Sequence, residues 1–156
     1  VWKYFFTGTT VRQMNMSREA KRMSKRLIND LIREGAFELY GQPKWTFGKN
    51  TCNTYEVFAE LVHMPGGSAI PAQLILELIE RDEDLTMTYS KWFLKAAITS
   101  AAELSEKSNA HVTLSVNLLP QYAGQENFVA QVLALLESTG FNSFSNFIYN
   151  KLFSSF

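Results

Sequence analysis

His111-Val112-Thr113-Leu114-Ser115-Val116-Asn117-Leu118 is the stretch that decides the fold class. Val112, Leu114, Val116 and Leu118 alternate with Thr113, Ser115 and Asn117, and a period of two residues predicts a strand with one buried face. Helical patterns stand on both sides of it. Upstream, Tyr89 to Lys107 carries Trp92, Phe93, Ala96, Ala97, Ala101 and Leu104 on or near one face. Downstream, Gln125 to Ser138 carries Phe128, Val129, Val132, Leu133, Leu135 and Leu136, and Gly140 closes it. A strand enclosed by helices points to the α/β class, with a buried parallel component in its sheet.

Moving toward the N-terminus, Met64-Pro65-Gly66-Gly67 is a strong turn, and Pro71 fits the first position of a helix reaching Arg81. Before the turn lie two strand signals. Phe37 to Gln42 is stopped by Pro43, which lacks an N–H for a ladder, and Thr54 to Val62 follows the polar loop Gly48-Lys49-Asn50-Thr51-Cys52-Asn53. Together they predict an antiparallel hairpin. The first helix runs from Ser17 to Glu34. Met23, Leu27, Ile28, Leu31 and Ile32 form its apolar face, Lys21, Arg22, Lys25 and Arg26 its solvated one, and Gly35 its terminator. Past Gly140, the stretch Phe141 to Phe156 is rich in Phe, Ser and Asn, contains no acidic residue, and predicts no regular element. The resulting division is an N-terminal extension (1–16), a domain (17–140) and an aromatic tail (141–156).

At 156 residues the chain is long enough for one domain with a real core. Its composition, 46% hydrophobic and 19% charged, is that of a soluble globular protein. Fifteen basic residues balance fifteen acidic ones, so bulk charge offers no pull toward nucleic acid or an anionic membrane. No apolar run reaches the roughly 18–20 residues of a membrane helix, and no cleavage pattern follows the aromatic stretch Val1 to Phe6. The single cysteine, Cys52, reads as an unpaired thiol in a reducing compartment, and the expected location is the cytoplasm.

Several ordered stretches resemble the EAL family of cyclic-di-GMP phosphodiesterases. Arg33-Glu34-Gly35, then Phe37-Glu38-Leu39-Tyr40-Gly41-Gln42-Pro43, is similar to that family's opening helix and its first strand, which ends in Gln-Pro. Val57-Phe58-Ala59-Glu60-Leu61-Val62-His63 resembles the strand bearing the Glu-Ala-Leu signature and a following arginine. Ile70-Pro71-Ala72-Gln73-Leu74-Ile75 resembles the helix start after the glycine turn, Tyr89-Ser90-Lys91-Trp92-Phe93-Leu94 the tryptophan-bearing helix, and Leu114-Ser115-Val116-Asn117-Leu118 the Val-Asn strand. The likeness spans about Ser17 to Gly140. It implies a partial, incomplete TIM-barrel-like fold, since a full barrel needs roughly 250 residues, and a chemistry of metal-assisted phosphodiester hydrolysis.

Set against that family, the residues depart from the pattern where the chemistry lies. Ala59 stands at the signature glutamate and cannot bind a cation. Glu60 is acidic, but side chains on a strand alternate faces, so with Leu61 and Val62 in register it points away from the site unless a one-residue slip or bulge brings it round. His63 stands at the arginine, and an imidazole does not replace a bidentate guanidinium at a phosphate. His111, at the mouth of a strand, reads as structural. Asn117 matches the metal-binding amide, vestigial without carboxylates beside it. Gln42, Leu61 and His63 match nucleotide contacts. Beyond Asn117 the family needs further acids, whereas Glu126 and Glu137 are the only later carboxylates here and both fall on the predicted helix.

The expectation is therefore a catalytically inactive, truncated EAL-like protein with no cofactor. It would act as a cyclic-di-GMP-related regulator or a protein-interaction module, with self-association or a protein partner engaged through an exposed sheet edge and the aromatic tail. Cyclic-di-GMP is the candidate ligand, with no nucleic-acid partner and no membrane segment. One alternative is part of an active phosphodiesterase, magnesium-dependent, completed by missing sequence or another chain. Another is a broken gene product without an evolved role.

Overall fold

The computed structural model describes residues 18–45, 48, 52–62, 72–141 and 147–151, with 18–24, 72–74 and 147–151 described by backbone alone. Its longest element is a helix, Glu83–Ser108, preceded by Asp82 in extended conformation. The Asp82 carboxylate accepts from the Leu85 N–H at 3.2 Å, and Glu83 and Asp84 place negative charge at the dipole's positive end. Asn109 ends it in the left-handed region, donating its N–H to the Glu106 carbonyl. The sequence predicts the start of this helix at Tyr89; the structure starts it six residues earlier, with the acid-rich segment from Asp82 as its cap and first turn.

In chain order the elements are α1 (Arg18–Arg33), β1 (Phe37–Lys44), β2 (Thr54–Leu61), α2 (Ala72–Arg81), α3 (Glu83–Ser108), β3 (Thr113–Leu118), α4 (Pro120–Ala123), α5 (Phe128–Thr139) and β4 (Phe147–Lys151). They build a four-stranded sheet in the order β1-β2-β3-β4. β1 and β2 are the expected antiparallel hairpin, whereas β2, β3 and β4 run parallel. Two boundaries move for physical reasons. Pro43 does not stop β1, which continues to Lys44, because β1 is an outer strand where a missing N–H breaks no ladder on the open side. The helix expected from Gln125 begins only at Phe128, and a separate short helix that Pro120 starts stands before it, Pro120–Ala123. β4 is an element the sequence does not predict.

The core has two parts. One lies between the sheet and helices α3 and α5: Leu114, Val116 and Leu118 of β3 are all but sealed, under Leu94, Ala97, Ile98, Val132 and Leu136. The other joins α1, α2 and the start of β1 through Ile28, Leu31, Ile75, Ile79 and Phe37. Tyr89 and Trp92 of α3 pack against both. Phe37 meets Tyr89 edge-on at 5.5 Å and Trp92 at 5.4 Å between centroids, so the two parts are bolted together by aromatic rings. Burial pushes the Tyr89 hydroxyl up to about 12.

Candidate functional site

Register decides which side chains share the sheet's other face. In β1 and β2 the opposed pairs are Glu38–Glu60, Tyr40–Phe58, Gln42–Glu56 and Lys44–Thr54. Between β2 and β3, Glu56 lies level with Ser115 and Val57 with Val116. Opposed residues project to the same side, so Val57, Val116 and their alternates face the helices. Tyr40, Gln42, Lys44, Glu56, Phe58, Glu60 and Asn117 face away from them. Two contacts fix this independently. The Tyr40 and Phe58 rings stack at 6.0 Å with 17° between planes, and Asn117 reaches Glu56 directly.

At the centre of that open face sits a bridge across three strands. Asn117 Nδ2 of β3 donates to Glu56 Oε1 of β2 at 2.7 Å, and Lys44 Nζ of β1 lies 2.9 Å from Glu56 Oε2. The Lys44 ammonium first, and the Asn117 amide second, hold the Glu56 carboxyl below its ordinary range, against the opposite pull of partial burial. With its side chain 26% exposed, Glu56 is half-sheltered, and Lys44 reaches it from the rim at 44%. Further along the face, Tyr40 Oη donates to Glu38 Oε2 at 3.1 Å, which raises the phenol's pKa.

The family's motif residues divide between the faces. Gln42 is exposed on the open face, opposite Glu56. Glu60 is exposed there too, on the same side as Asn117, contrary to the expectation that alternation points it away: the helices bury the Val57, Ala59 and Leu61 side of β2 instead. Ala59 packs on the helix side against the first core part. Leu61 pairs with Phe37 and packs into the second core part. His63 lies outside the described residues. Sequence reasoning missed Glu56 and Lys44. The period-two series Glu56, Phe58, Glu60 carries a signal for the first. Nothing local points to the second, because Pro43 reads as the end of the strand.

A family model described as EAL domain matches residues 25–145, most of the chain. The chain belongs to the EAL domain family. Solved EAL domains share its fold. A FimX EAL domain superposes with a TM-score of 0.70 at 18% identity, over 82% of this chain and 50% of that one. The Xanthomonas citri FimX EAL domain in complex with c-diGMP gives 0.63 at 15% identity, over 85% and 50%. The PaMucR phosphodiesterase, in a c-di-GMP complex, gives 0.68 at 19%, over 81% and 50%. The chain thus spans about half the length of these EAL domains, and its fold is a partial TIM-barrel-like EAL fold, as the resemblance implies. No curated protein matches it. Among the described residues, no helix is long and apolar enough to cross a membrane.

Among the described residues, the arrangement offers no converging ligand set for the divalent cations that EAL chemistry implies. A cation site needs several oxygens converging with negative charge. Among the described residues no three His, Cys, Asp or Glu side chains come together. On the open face the Asn117 amide presents its N–H to Glu56, and the other Glu56 oxygen is already matched by an ammonium. Cys52 offers no catalytic thiol geometry either, since its Sγ lies against the carbonyls of Lys44 and Thr54.

Proposed function

We propose that this EAL domain binds and does not hydrolyse: a catalytically inactive, cyclic-di-GMP-related regulator working in the cytoplasm. The observation that carries the reading is the open face itself. Tyr40 and Phe58 offer a stacked aromatic pair, Gln42 stands exposed one step along β1, and the carboxylate beside Asn117 is neutralised rather than free. Aromatic rings suit the planar bases of a dinucleotide, and stacking of this kind contributes roughly 1–3 kcal/mol per base. Ala59, at the signature glutamate, faces the helices and has no ligand atom to offer.

The test is calorimetry of the 156-residue chain with cyclic-di-GMP, run with magnesium and again with a chelator, beside chromatography for the linear product. The reading expects equal binding in both buffers and no product; magnesium-dependent turnover would refute it. Glu60, on the Asn117 face, favours a second reading, in which the chain is one part of an active phosphodiesterase completed by further sequence or another chain. In that case supplying the remaining part yields turnover that Glu60→Ala abolishes.

The same regulator has surfaces for a protein partner or for a second copy. β1 is an outer strand of the sheet, and α5 exposes Val129 and Leu133 one turn apart. Light scattering of the chain with and without residues 141–156 tests self-association. A monomer in both forms would remove that part of the proposal.

A further inference from the structure

Away from the open face, where β3 begins, the last turns of α3 and α5 border one groove of about 890 Å³. Ligand pockets run from roughly 300 to 1,000 Å³. Lys95, Thr99, Glu103 and Glu106 line it from one face of α3, at helical spacings of four, four and three residues. His111 leads from it into β3, and the buried Phe141 with Ala102 supplies its apolar wall. We infer that this groove is a peptide site: it takes a short extended segment with free ends, the ammonium at Glu106 and the carboxylate at Lys95.

The polar groups that face the groove differ in what they have left to give. Lys95, Thr99, Glu106 and His111 make no side-chain hydrogen bond or ion pair among the described residues. The remaining hydroxyls are committed, Ser105 to the Ala110 carbonyl at 2.8 Å and Ser138 and Thr139 to the Leu135 carbonyl at 2.9 Å. Glu103 is matched by Lys107 at 3.3 Å, which leaves the Glu106 carboxylate as the unmatched charge at that end. The carbonyl ends of α3 and α5 add partial negative charge beside it, so an ammonium is favoured there. Lys95 stands eleven residues back along α3, roughly 16 Å at 1.5 Å per residue, and favours an anion at the other end. An extended chain covers that distance in about five residues. Its backbone groups then pass Thr99 and His111, each able to donate or accept. A lone metal ion or small anion would leave one end of the groove unmatched. The open face proposed for the dinucleotide shares none of these residues.

The experiment is titration of the isotope-labelled chain at pH 7 with pentaalanine, following amide chemical shifts. N-acetylated and C-amidated pentaalanine are run beside the free peptide, and Lys95→Met and Glu106→Gln beside wild type. Both positions are exposed on α3, and Lys95→Gln and Glu106→Ala serve should either form fail to fold. The free peptide should shift Thr99, Glu106, His111 and Gly140 and leave Tyr40 and Gln42 unmoved. Capping either end should weaken binding about three- to fivefold, the range of an exposed charge pair. Lys95→Met should weaken the free peptide by that factor and the amidated one not at all; Glu106→Gln should do the same for the free and acetylated forms. No localised shift at millimolar peptide, equal binding of free and capped peptides, or losses that ignore which end is capped would overturn the inference.

Discussion

Replacing Phe37 with alanine should open the joint between the two parts of the core. Phe37 is 6% exposed and is held between Tyr89 and Trp92 at 5.5 and 5.4 Å. Deleting a buried phenylalanine ring costs about 3–5 kcal/mol, because burial is lost and the cavity only partly collapses. For a urea slope of about 2 kcal/mol/M, that lowers the unfolding midpoint by roughly 1.5–2.5 M. Phe37→Leu keeps most of the volume and loses chiefly the two ring contacts, each worth about 0.5–1.5 kcal/mol, so it should fall between alanine and wild type. A second readout comes from Tyr89. Burial raises its hydroxyl to about 12; a cavity beside it admits water, so its ultraviolet titration should shift downward in Phe37→Ala. The assay is equilibrium urea unfolding by circular dichroism, with absorbance titration of the folded protein. An alanine midpoint within about 0.3 M of wild type, with the Tyr89 titration unmoved, would refute the view that these rings couple the two core parts.

Three further outcomes can be checked the same way. Glu56 has its folded-state pKa lowered from the ordinary 4.5, so its contribution is present above the unfolded pKa and is lost as pH falls through the lowered folded value. Glu56→Gln should therefore cost about 1–2 kcal/mol at pH 7 and leave a shallower stability loss on acidification below about pH 4.5, measured by urea midpoints across pH. The Thr86 hydroxyl, fully buried, donates to the Ile79 carbonyl at 2.7 Å. Thr86→Val removes that donor and should cost about 1–3 kcal/mol, seen as a lower Tm in calorimetry, whereas Thr86→Ser should retain part of it. Asp82→Ala removes the α3 cap and the Lys25–Asp82 contact at 3.2 Å. It should cost about 1 kcal/mol, with Asp82→Asn recovering most of it in the same unfolding assay.

What the chain declares by itself is whatever local chemistry determines. The alternation of Val112 to Leu118, the apolar face between Tyr89 and Lys107, and the glycines at 35 and 140, both of which take left-handed φ, can be read without knowing any neighbour. These establish the α/β class and, with the ordered motif stretches, the EAL family. Local chemistry also explains the errors: Pro43 ends a strand only if that strand is internal, and the apolar face that begins at Tyr89 hides the cap that Asp82 sets seven residues before it.

Tertiary structure alone decided the content of the open face. Glu56 and Asn117 are 61 residues apart and meet because β2 and β3 pair in parallel; Lys44 joins them because β1 runs one residue past its proline. Alternation within β2 separates Ala59 from Glu60, but it does not say which of them shares a side with Asn117. That depends on which face the helices cover. Core packing settles it: Val57, Ala59 and Leu61 supply the apolar side that α3 and its neighbours bury, and Glu56, Phe58 and Glu60 are left on the side that can meet a ligand.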